Sequence, residues 1–233
     1  MNTLSFTWLG HATFLFRSPG GKRIIIDPWL ATNPSCPESG KKVGELDLIL
    51  VTHGHSDHTG DVIPVARATG ARVVAPFELA NWFQQKGLQN VTGINPGGTL
   101  SALGLAVTMV QAFHSSSVVE DGRTLDMGVA SGYVIRFEDG VTIYFAGDTA
   151  VFGDMKLIAE LYRPSIAFLP IGDHYTMGPE QAAKACELLA VKQVVPMHFG
   201  TFPVLTGTPE RLRELVKSRG VKVMEMEPGE TAG

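Results

Sequence analysis

The sequence has few of the features that mark secreted or membrane proteins. Its 233 residues include only two cysteines, Cys36 and Cys186, which allow at most one disulfide. No apolar run approaches the roughly 18 residues of a membrane span, and the start MNTLSFTWLG lacks a basic segment followed by a long apolar core. We therefore expect a cytoplasmic protein without a membrane partner, in which both thiols are free and neither has an assigned role.

The sequence also lacks an excess of basic residues. It has 19 Lys and Arg against 23 Asp and Glu, a formal charge of -4 and a pI of about 6.0. A general nucleic-acid binder carries a strongly basic footprint, so we expect no nucleic-acid partner. What the chain does have is 44% hydrophobic residues. This content and length predict one globular domain over residues 1–233, with no room for an added RNA-binding domain.

Short apolar runs alternate with helical patterns in both halves of the chain. In the first half, KRIIID and LDLILV are typical of strands buried on both faces, and DVIPVARATG and PFELANWFQQKG are typical of helices. The second half repeats this order, with strands at VTIYFAGD, SIAFLPIGD and QVVPMHF and helices between and after them. We predict an α/β fold in which two mixed sheets pack face to face with helices on the outer faces, giving a four-layer αβ/βα sandwich.

Side chains that can bind metal follow strand after strand. Four of them lie in VTHGHSDH, directly behind an apolar run, and three more follow later strands. The full set is His53, His55, Asp57, His58, His114, Asp148 and His198. One histidine behind a strand is usually a core or loop residue, but this recurrence indicates a shared site. Imidazole nitrogen and carboxylate oxygen are zinc ligands, and five His with two Asp suffice for two adjacent ions.

These residues resemble a known family. The HxHxDH run at 53–58, the Gly147-Asp148-Thr149 segment and the late His198 resemble the metallo-β-lactamase superfamily. The stretches WLGHATFLF, DPW and LPIGDHYTMGPEQA are similar to its small stand-alone metal-dependent hydrolases, of the ascorbate-6-phosphate lactonase type. The resemblance implies two metal ions. It implies that His53, His55 and His114 bind the first, that Asp57, His58 and His198 bind the second, and that Asp148 bridges them.

The metal pair implies a hydrolytic function. We expect the metal to be zinc, with manganese, iron or nickel as alternatives. Two divalent ions with two aspartates and a bridging hydroxide leave a core of about +1, which favours anionic substrates. We therefore expect the metal-bridging hydroxide to attack a small, anionic ester, lactone or phosphodiester. Asp57 is expected to orient this nucleophile or move its proton as well as bind metal.

Four further residues are candidates for the surroundings of the site. His11, in LGHAT, is either a buried, hydrogen-bonded residue or a neighbour of the metals. His174, in GDHYTMGPE, is predicted to be a general acid for the leaving group or a substrate contact, with Asp173 as its alternative in the same turn. Asp27 is either a turn-former before Pro28 or a carboxylate that fixes the tautomer of a ligand histidine, and the resemblance favours the second.

Two other functions stay open at this point. A single-iron dioxygenase of the same fold would use similar ligands, although the complete second ligand set favours two ions. A member that only binds a partner and has no activity is the other alternative, and the complete ligand set argues against it. We expect substrate specificity to come from the loops at residues 31–44, 115–127 and 172–178, and the substrate to be a small molecule. A homo-oligomer is compatible with the sequence.

Overall fold

The computed structural model describes residues 3–233 and contains two seven-stranded sheets. The strands of the first sheet are β1 (Ser5–Trp8), β2 (Phe14–Arg17), β3 (Arg23–Ile26), β4 (Leu48–Leu50), β5 (Arg72–Pro76), β6 (Val91–Ile94) and β16 (Thr231–Ala232). Their order across the sheet is β16-β1-β2-β3-β4-β5-β6. Strands β1 to β3 are antiparallel neighbours, whereas β3 to β6 are parallel.

The second sheet repeats this arrangement. Its strands are β7 (Thr99–Ala102), β8 (Leu105–Gln111), β11 (Ser131–Arg136), β12 (Thr142–Phe145), β13 (Ile166–Pro170), β14 (Gln193–Met197) and β15 (Lys222–Val223). The order is β15-β14-β13-β12-β11-β8-β7. The strands from β7 to β12 pair antiparallel, and those from β12 to β15 pair parallel. Each half of the chain therefore begins with an antiparallel part and continues with parallel strands.

The helices cover the outer faces of the sheets. They are α2 (Val62–Thr69), α3 (Phe77–Gln85), α4 (Met155–Tyr162), α5 (Pro179–Leu189) and α6 (Pro209–Val216), whereas α1 (Ser56–Thr59) is a single turn that follows β4. Helices α5 and α6 begin with proline, whose missing N–H costs nothing at the first helical position. The Thr208 side chain caps α6 by accepting from the backbone N–H of Arg211.

Alternate side chains of the central strands enter different cores, which is the physical basis of the four layers. Ile24 and Ile26 of β3 face the other sheet, whereas Ile25 faces the core that α2 and α3 cover. In β12, Phe145 faces the first sheet and Tyr144 faces the core beneath α4, α5 and α6. Continuous apolar runs such as RIII are therefore buried on both faces.

Aromatic side chains fill the space between the sheets. The ring of Phe168 lies 5.0 Å from that of Phe6 and 5.0 Å from that of Phe14, edge to face in both cases. These contacts join β13 to β1 and β2, and so hold the two sheets in a fixed relative position.

The predicted four-layer αβ/βα sandwich is confirmed, but one local prediction is wrong. Residues 115–127 are not a plain loop, because β9 (Ser117–Glu120) and β10 (Arg123–Asp126) pair there as an antiparallel hairpin. The second half of the HxHxDH segment forms the single helical turn α1. Within residues 3–233, every helix is too short or too polar to span a bilayer. Both cysteines are buried free thiols, and burial raises their pKa to about 11 for Cys36 and about 12 for Cys186.

Candidate metal centre

The candidate site lies where strands of both sheets end. His53 follows β4, and the chain then passes His55 and enters α1, which carries Asp57 and His58. The second sheet contributes His114 after β8, Asp148 after β12 and His198 after β14. Strands β8, β12 and β14 run in one direction, so their carboxyl ends meet at the same edge. The structure thus brings all seven predicted ligands together.

Three histidine nitrogens form the first part of the cluster. Nε2 of His53 lies 3.1 Å from Nδ1 of His55, and Nε2 of His114 lies 3.3 Å from the same Nδ1. A tetrahedral zinc with bonds of 2.0–2.1 Å holds its ligand atoms about 3.4 Å apart. The three nitrogens are therefore spaced as ligands of one ion.

The second part of the cluster joins His58, His198 and two carboxylates. Asp148 Oδ1 is 3.3 Å from Nε2 of His58, and Asp148 Oδ2 is 3.0 Å from Nε2 of His198. Asp57 Oδ2 lies 3.8 Å from Nε2 of His198 and 4.0 Å from Nε2 of His58. Asp148 Oδ2 is also 3.6 Å from Nε2 of His114. Asp148 therefore lies between the two parts, as a bridging ligand would.

The donor atoms of this cluster fit metal ions. Among residues 3–233, the buried atoms Nε2 of His58, Nε2 of His198 and Oδ1 of Asp148 have no hydrogen-bond partner. Other atoms of the cluster nevertheless lie 3.0 and 3.3 Å from them. An unpaired buried polar atom is costly unless something else satisfies it. Three overlapping groups of these residues have ligand atoms within 4.8 Å of one another. The cluster can hold metal ions, and a cation would satisfy the unpaired atoms.

The carboxylates of the cluster favour nearby positive charge. Burial opposes a charge on Asp148, but His198 and His58 hold its pKa well below the usual value. Burial also opposes a charge on His58, yet Asp148, Asp27 and Asp57 raise its pKa well above the usual value. The same balance, with Asp148 as the main partner, raises the pKa of His198 to about 9. Without metal, protons on histidine balance the carboxylates, and a metal ion would displace those protons.

Asp27 lies directly behind His58. Its Oδ2 is 2.8 Å from Nδ1 of His58, and the carboxylate accepts from both the backbone N–H and the hydroxyl of Thr52. This contact leaves Nε2 of His58 facing the cluster, as the predicted role in fixing the tautomer requires. Asp27 is fully buried, and burial raises its pKa despite the opposing effect of His58.

His11 also reaches the site. Its side chain is fully buried, with Nε2 3.0 Å from Asp57 Oδ2 and its ring 3.8 Å from that of His198. Burial, with an added effect of His198, lowers the pKa of His11 to about 4. Of the two alternatives for His11, the structure therefore places it beside the cluster and shows it hydrogen-bonded as well.

His174 and Asp173 lie outside this network. Both are exposed and have positive φ angles, in a loop that joins the site through the Met177 N–H donating to the Thr149 carbonyl. In the described part of the chain, the His174 side chain contacts the ring of Tyr175 but makes no hydrogen bond. The predicted general-acid role of His174 stays a prediction.

Two polar residues near the cluster were not found from the sequence. Thr201 Oγ1 lies 2.9 Å from Nδ1 of His11, and Ser115 Oγ lies 3.4 Å from Nε2 of His55. Each lies within three residues of a predicted ligand, His198 or His114. Proximity to a ligand in sequence was the available signal, but hydroxyl residues are common in loops and carry no pattern of their own.

Comparison with known proteins assigns the family. A family model described as a β-lactamase superfamily domain matches residues 22–199. The chain belongs to the β-lactamase superfamily. The predicted superfamily is thereby confirmed.

Relatives in this superfamily cover almost the whole chain. A UPF0173 metal-dependent hydrolase of Rubrobacter xylanophilus is 54% identical over 230 residues, covering 97% of this chain and 95% of the relative. Another from Koribacter versatilis is 52% identical over 228 residues, covering 98% and 97%. Among solved structures, the metallo hydrolase Igni18 of Ignicoccus hospitalis has a TM-score of 0.88 at 40% identity, covering 99% of this chain and 98% of that one. These relatives are described as metal-dependent or metallo hydrolases, and their descriptions name no substrate.

Proposed function

We propose that this protein is a metal-dependent hydrolase that uses two divalent ions to cleave a small anionic ester, lactone or phosphodiester. Zinc is the leading candidate for both ions. One observation carries the proposal: seven His and Asp side chains from four strand ends converge, with nitrogens 3.1 and 3.3 Å apart. The hydrolase relatives at 52% and 54% identity support it. Manganese, iron or nickel are the alternative metals.

The residues divide into two ligand sets. His53, His55 and His114 would hold the first ion through three neutral imidazoles. Asp57, His58 and His198 would hold the second, with Asp148 reaching both. The bridging position of Asp148 is supported by distance, because Asp148 Oδ2 lies 3.6 Å from His114 Nε2 and 3.0 Å from His198 Nε2.

The ions, when bound, would lower the pKa of water enough to supply a nucleophile at neutral pH. The protein's own residues then have separate tasks. Asp57 is 24% exposed, more than Asp148 at 3%, so it is the carboxylate that can orient a substrate or accept a proton at the open side of the cluster. His114, 14% exposed, marks the same open side.

A hydrolysis panel tests the proposal. Lactones, phosphodiesters, thioesters and β-lactams are assayed with zinc-loaded wild type and with His55→Ala. We expect at least one activity, reduced by roughly 100-fold or more in the variant, because the first ion loses one of three ligands. His174→Ala serves as a comparison, since it should keep both ions and lose turnover only on substrates with poor leaving groups. An activity that persists unchanged in His55→Ala would place the reaction elsewhere.

Iron chemistry on the same ligands is the second candidate. It is separated by metal analysis of protein purified without added zinc. Two zinc ions per chain support the hydrolase, whereas one iron per chain together with oxygen consumption would contradict it. A protein that binds metal but turns over no substrate class would indicate the non-catalytic alternative.

A further inference from the structure

Both ring nitrogens of His11 have hydrogen-bond partners, which separates it from His58 and His198. Nε2 contacts Asp57 Oδ2 at 3.0 Å and Nδ1 contacts Thr201 Oγ1 at 2.9 Å. By contrast, Nε2 of His58 and Nε2 of His198 are unpaired within residues 3–233. His11 belongs to a group whose ligand atoms lie within 4.8 Å of one another, but both of its ring nitrogens already have a hydrogen-bond partner.

The chemistry of the partners fixes which atoms donate. An ionised carboxylate only accepts, so Nε2 of His11 carries the hydrogen and donates to Asp57. A neutral imidazole then accepts at Nδ1, where the Thr201 hydroxyl donates. The alternative acceptor for that hydroxyl, the Phe199 carbonyl, is 3.5 Å away, so the 2.9 Å contact to His11 is favoured. Ser35 Oγ donates to Thr201 Oγ1 at 3.4 Å and extends the chain of hydrogen bonds to the loop at residues 31–44.

The backbone around His11 holds the ring in place. Its carbonyl accepts from the indole N–H of Trp8 and from the backbone N–H of His198. Its φ of 54° is unusual for a residue other than glycine, and such strain persists only where surrounding contacts determine the conformation. The ring centroids of Trp29 and His11 lie 5.2 Å apart, with the two ring planes nearly perpendicular.

We infer that His11 is a positioning residue for Asp57, and that Thr201 fixes the tautomer in which His11 donates to Oδ2. An ionised oxygen has two lone pairs, and the hydrogen bond from His11 occupies one and directs the other toward His58 and His198. The inference rests on the proposed two-ion site, because its effect is on the ion that Asp57, His58 and His198 would hold.

Zinc titration of the metal-free protein tests the inference. Competition with a chromophoric chelator gives the affinities of the first and second ions separately. His11→Asn tolerates the positive φ but is too short to reach Asp57, so we expect the second ion to bind about 10- to 100-fold more weakly. Affinity for the first ion should change less than about threefold, a difference that general destabilisation would not produce. His11→Gln keeps an N–H near the position of Nε2 and should recover most of the affinity.

A second pair of variants avoids changing the buried ring. Thr201→Val removes the hydroxyl at nearly constant shape, and Thr201→Ser keeps it. We expect Thr201→Val to lower the affinity for the second ion by about 10-fold and Thr201→Ser to leave it unchanged. This pair decides the matter if either His11 variant fails to fold.

The experiment distinguishes failure of the proposed function from failure of the inference about His11. A wild type that binds fewer than two zinc ions contradicts the proposed function. A wild type that binds two, with Thr201→Val and every folded His11 variant binding the second ion equally well, overturns the role of His11.

Discussion

Three residues of the metal centre have backbone conformations that residues other than glycine rarely adopt. His11, Asp27 and His198 have φ angles of 54°, 49° and 55°. Each such residue costs roughly 1–3 kcal/mol, which the surrounding contacts must offset. Asp27 and His198 directly follow β3 and β14, whereas His11 lies in the turn between β1 and β2. Local strain therefore accompanies the positions from which these side chains act.

At Asp27, the charge behind His58 can be tested without changing the backbone preference. Asp27→Asn keeps a side chain that tolerates positive φ but removes the negative charge that holds Nδ1–H of His58. We expect zinc affinity or activity to fall about 10- to 100-fold. Asp121→Asn is the matched control, because Asp121 has a φ of 50° in an exposed turn and its side chain makes no hydrogen bond in the described part of the chain. Equal effects of the two substitutions would mean that the Asp27 charge is irrelevant.

The residues that converge in the cluster were predictable from the sequence, whereas the residues that contact them from outside were less so. His and Asp at successive strand ends are few and chemically distinctive, so all seven could be selected. Asp27 was found with the help of the resemblance. Thr201 was not found, because one of many loop hydroxyls becomes meaningful only when the fold brings it to His11.

At the scale of elements, the end of β12 packs tightly against the end of β4. Gly147 has a φ of 62°, and a Cβ there would lie 2.7 Å from the Ser131 carbonyl oxygen and 2.9 Å from Cβ of Thr52. Ser131 in turn donates from its N–H and its hydroxyl to the Thr52 carbonyl. The segments that carry His53 and Asp148 are thus in direct contact, and a glycine makes that contact possible.

Two glycine substitutions separate this close approach from backbone strain. Gly140→Ala, with a φ of 89° and no atom within 4 Å of the new Cβ, should lower the free energy of unfolding by about 1 kcal/mol. Gly147→Ala adds a collision with backbone and should lower it by about 2–4 kcal/mol. Urea denaturation of both metal-free variants measures the difference. A Gly147→Ala protein as stable as Gly140→Ala would show that the two strand ends can separate without cost.

Strands with long apolar runs were predictable, and short polar elements were not. β4 and the last three residues of β3 are buried and apolar, so their sequence admits few alternatives. The hairpin of β9 and β10 contains SVVE and RTLD, which are short and partly exposed, and its pairing depends on tertiary context. Helix α1 has a single turn of four residues, too short for any hydrophobic period to identify.

At the scale of the whole molecule, the two halves have equivalent architecture but contribute different ligands. The first half supplies the HxHxDH segment and the second supplies His114, Asp148 and His198. The sheets already share a continuous apolar core, with Phe6 and Phe14 against Phe168. We therefore expect the metal-free protein to fold and the metal to add stability to an existing structure.

Thermal melts measure that added stability. A ligand that binds only the native state at 1,000 times its Kd stabilises by about 4 kcal/mol, so zinc should raise Tm by several degrees over protein treated with chelator. Calcium at equal concentration is the control, since it prefers oxygen ligands and should have little effect on a histidine-rich site. His55→Ala should reduce the shift due to zinc, and His174→Ala should preserve it. A zinc melt identical to the calcium melt would contradict a zinc site.

The position of the cluster at the junction of the halves has a mechanical consequence. An ion held by His53, His55 and His114 is a crosslink between segments far apart in sequence, and it closes a long loop of the chain. Disulfides provide such crosslinks in secreted domains, where reductants break them. Here chelators or acid would break the crosslink, because metal and protons compete for the same imidazoles.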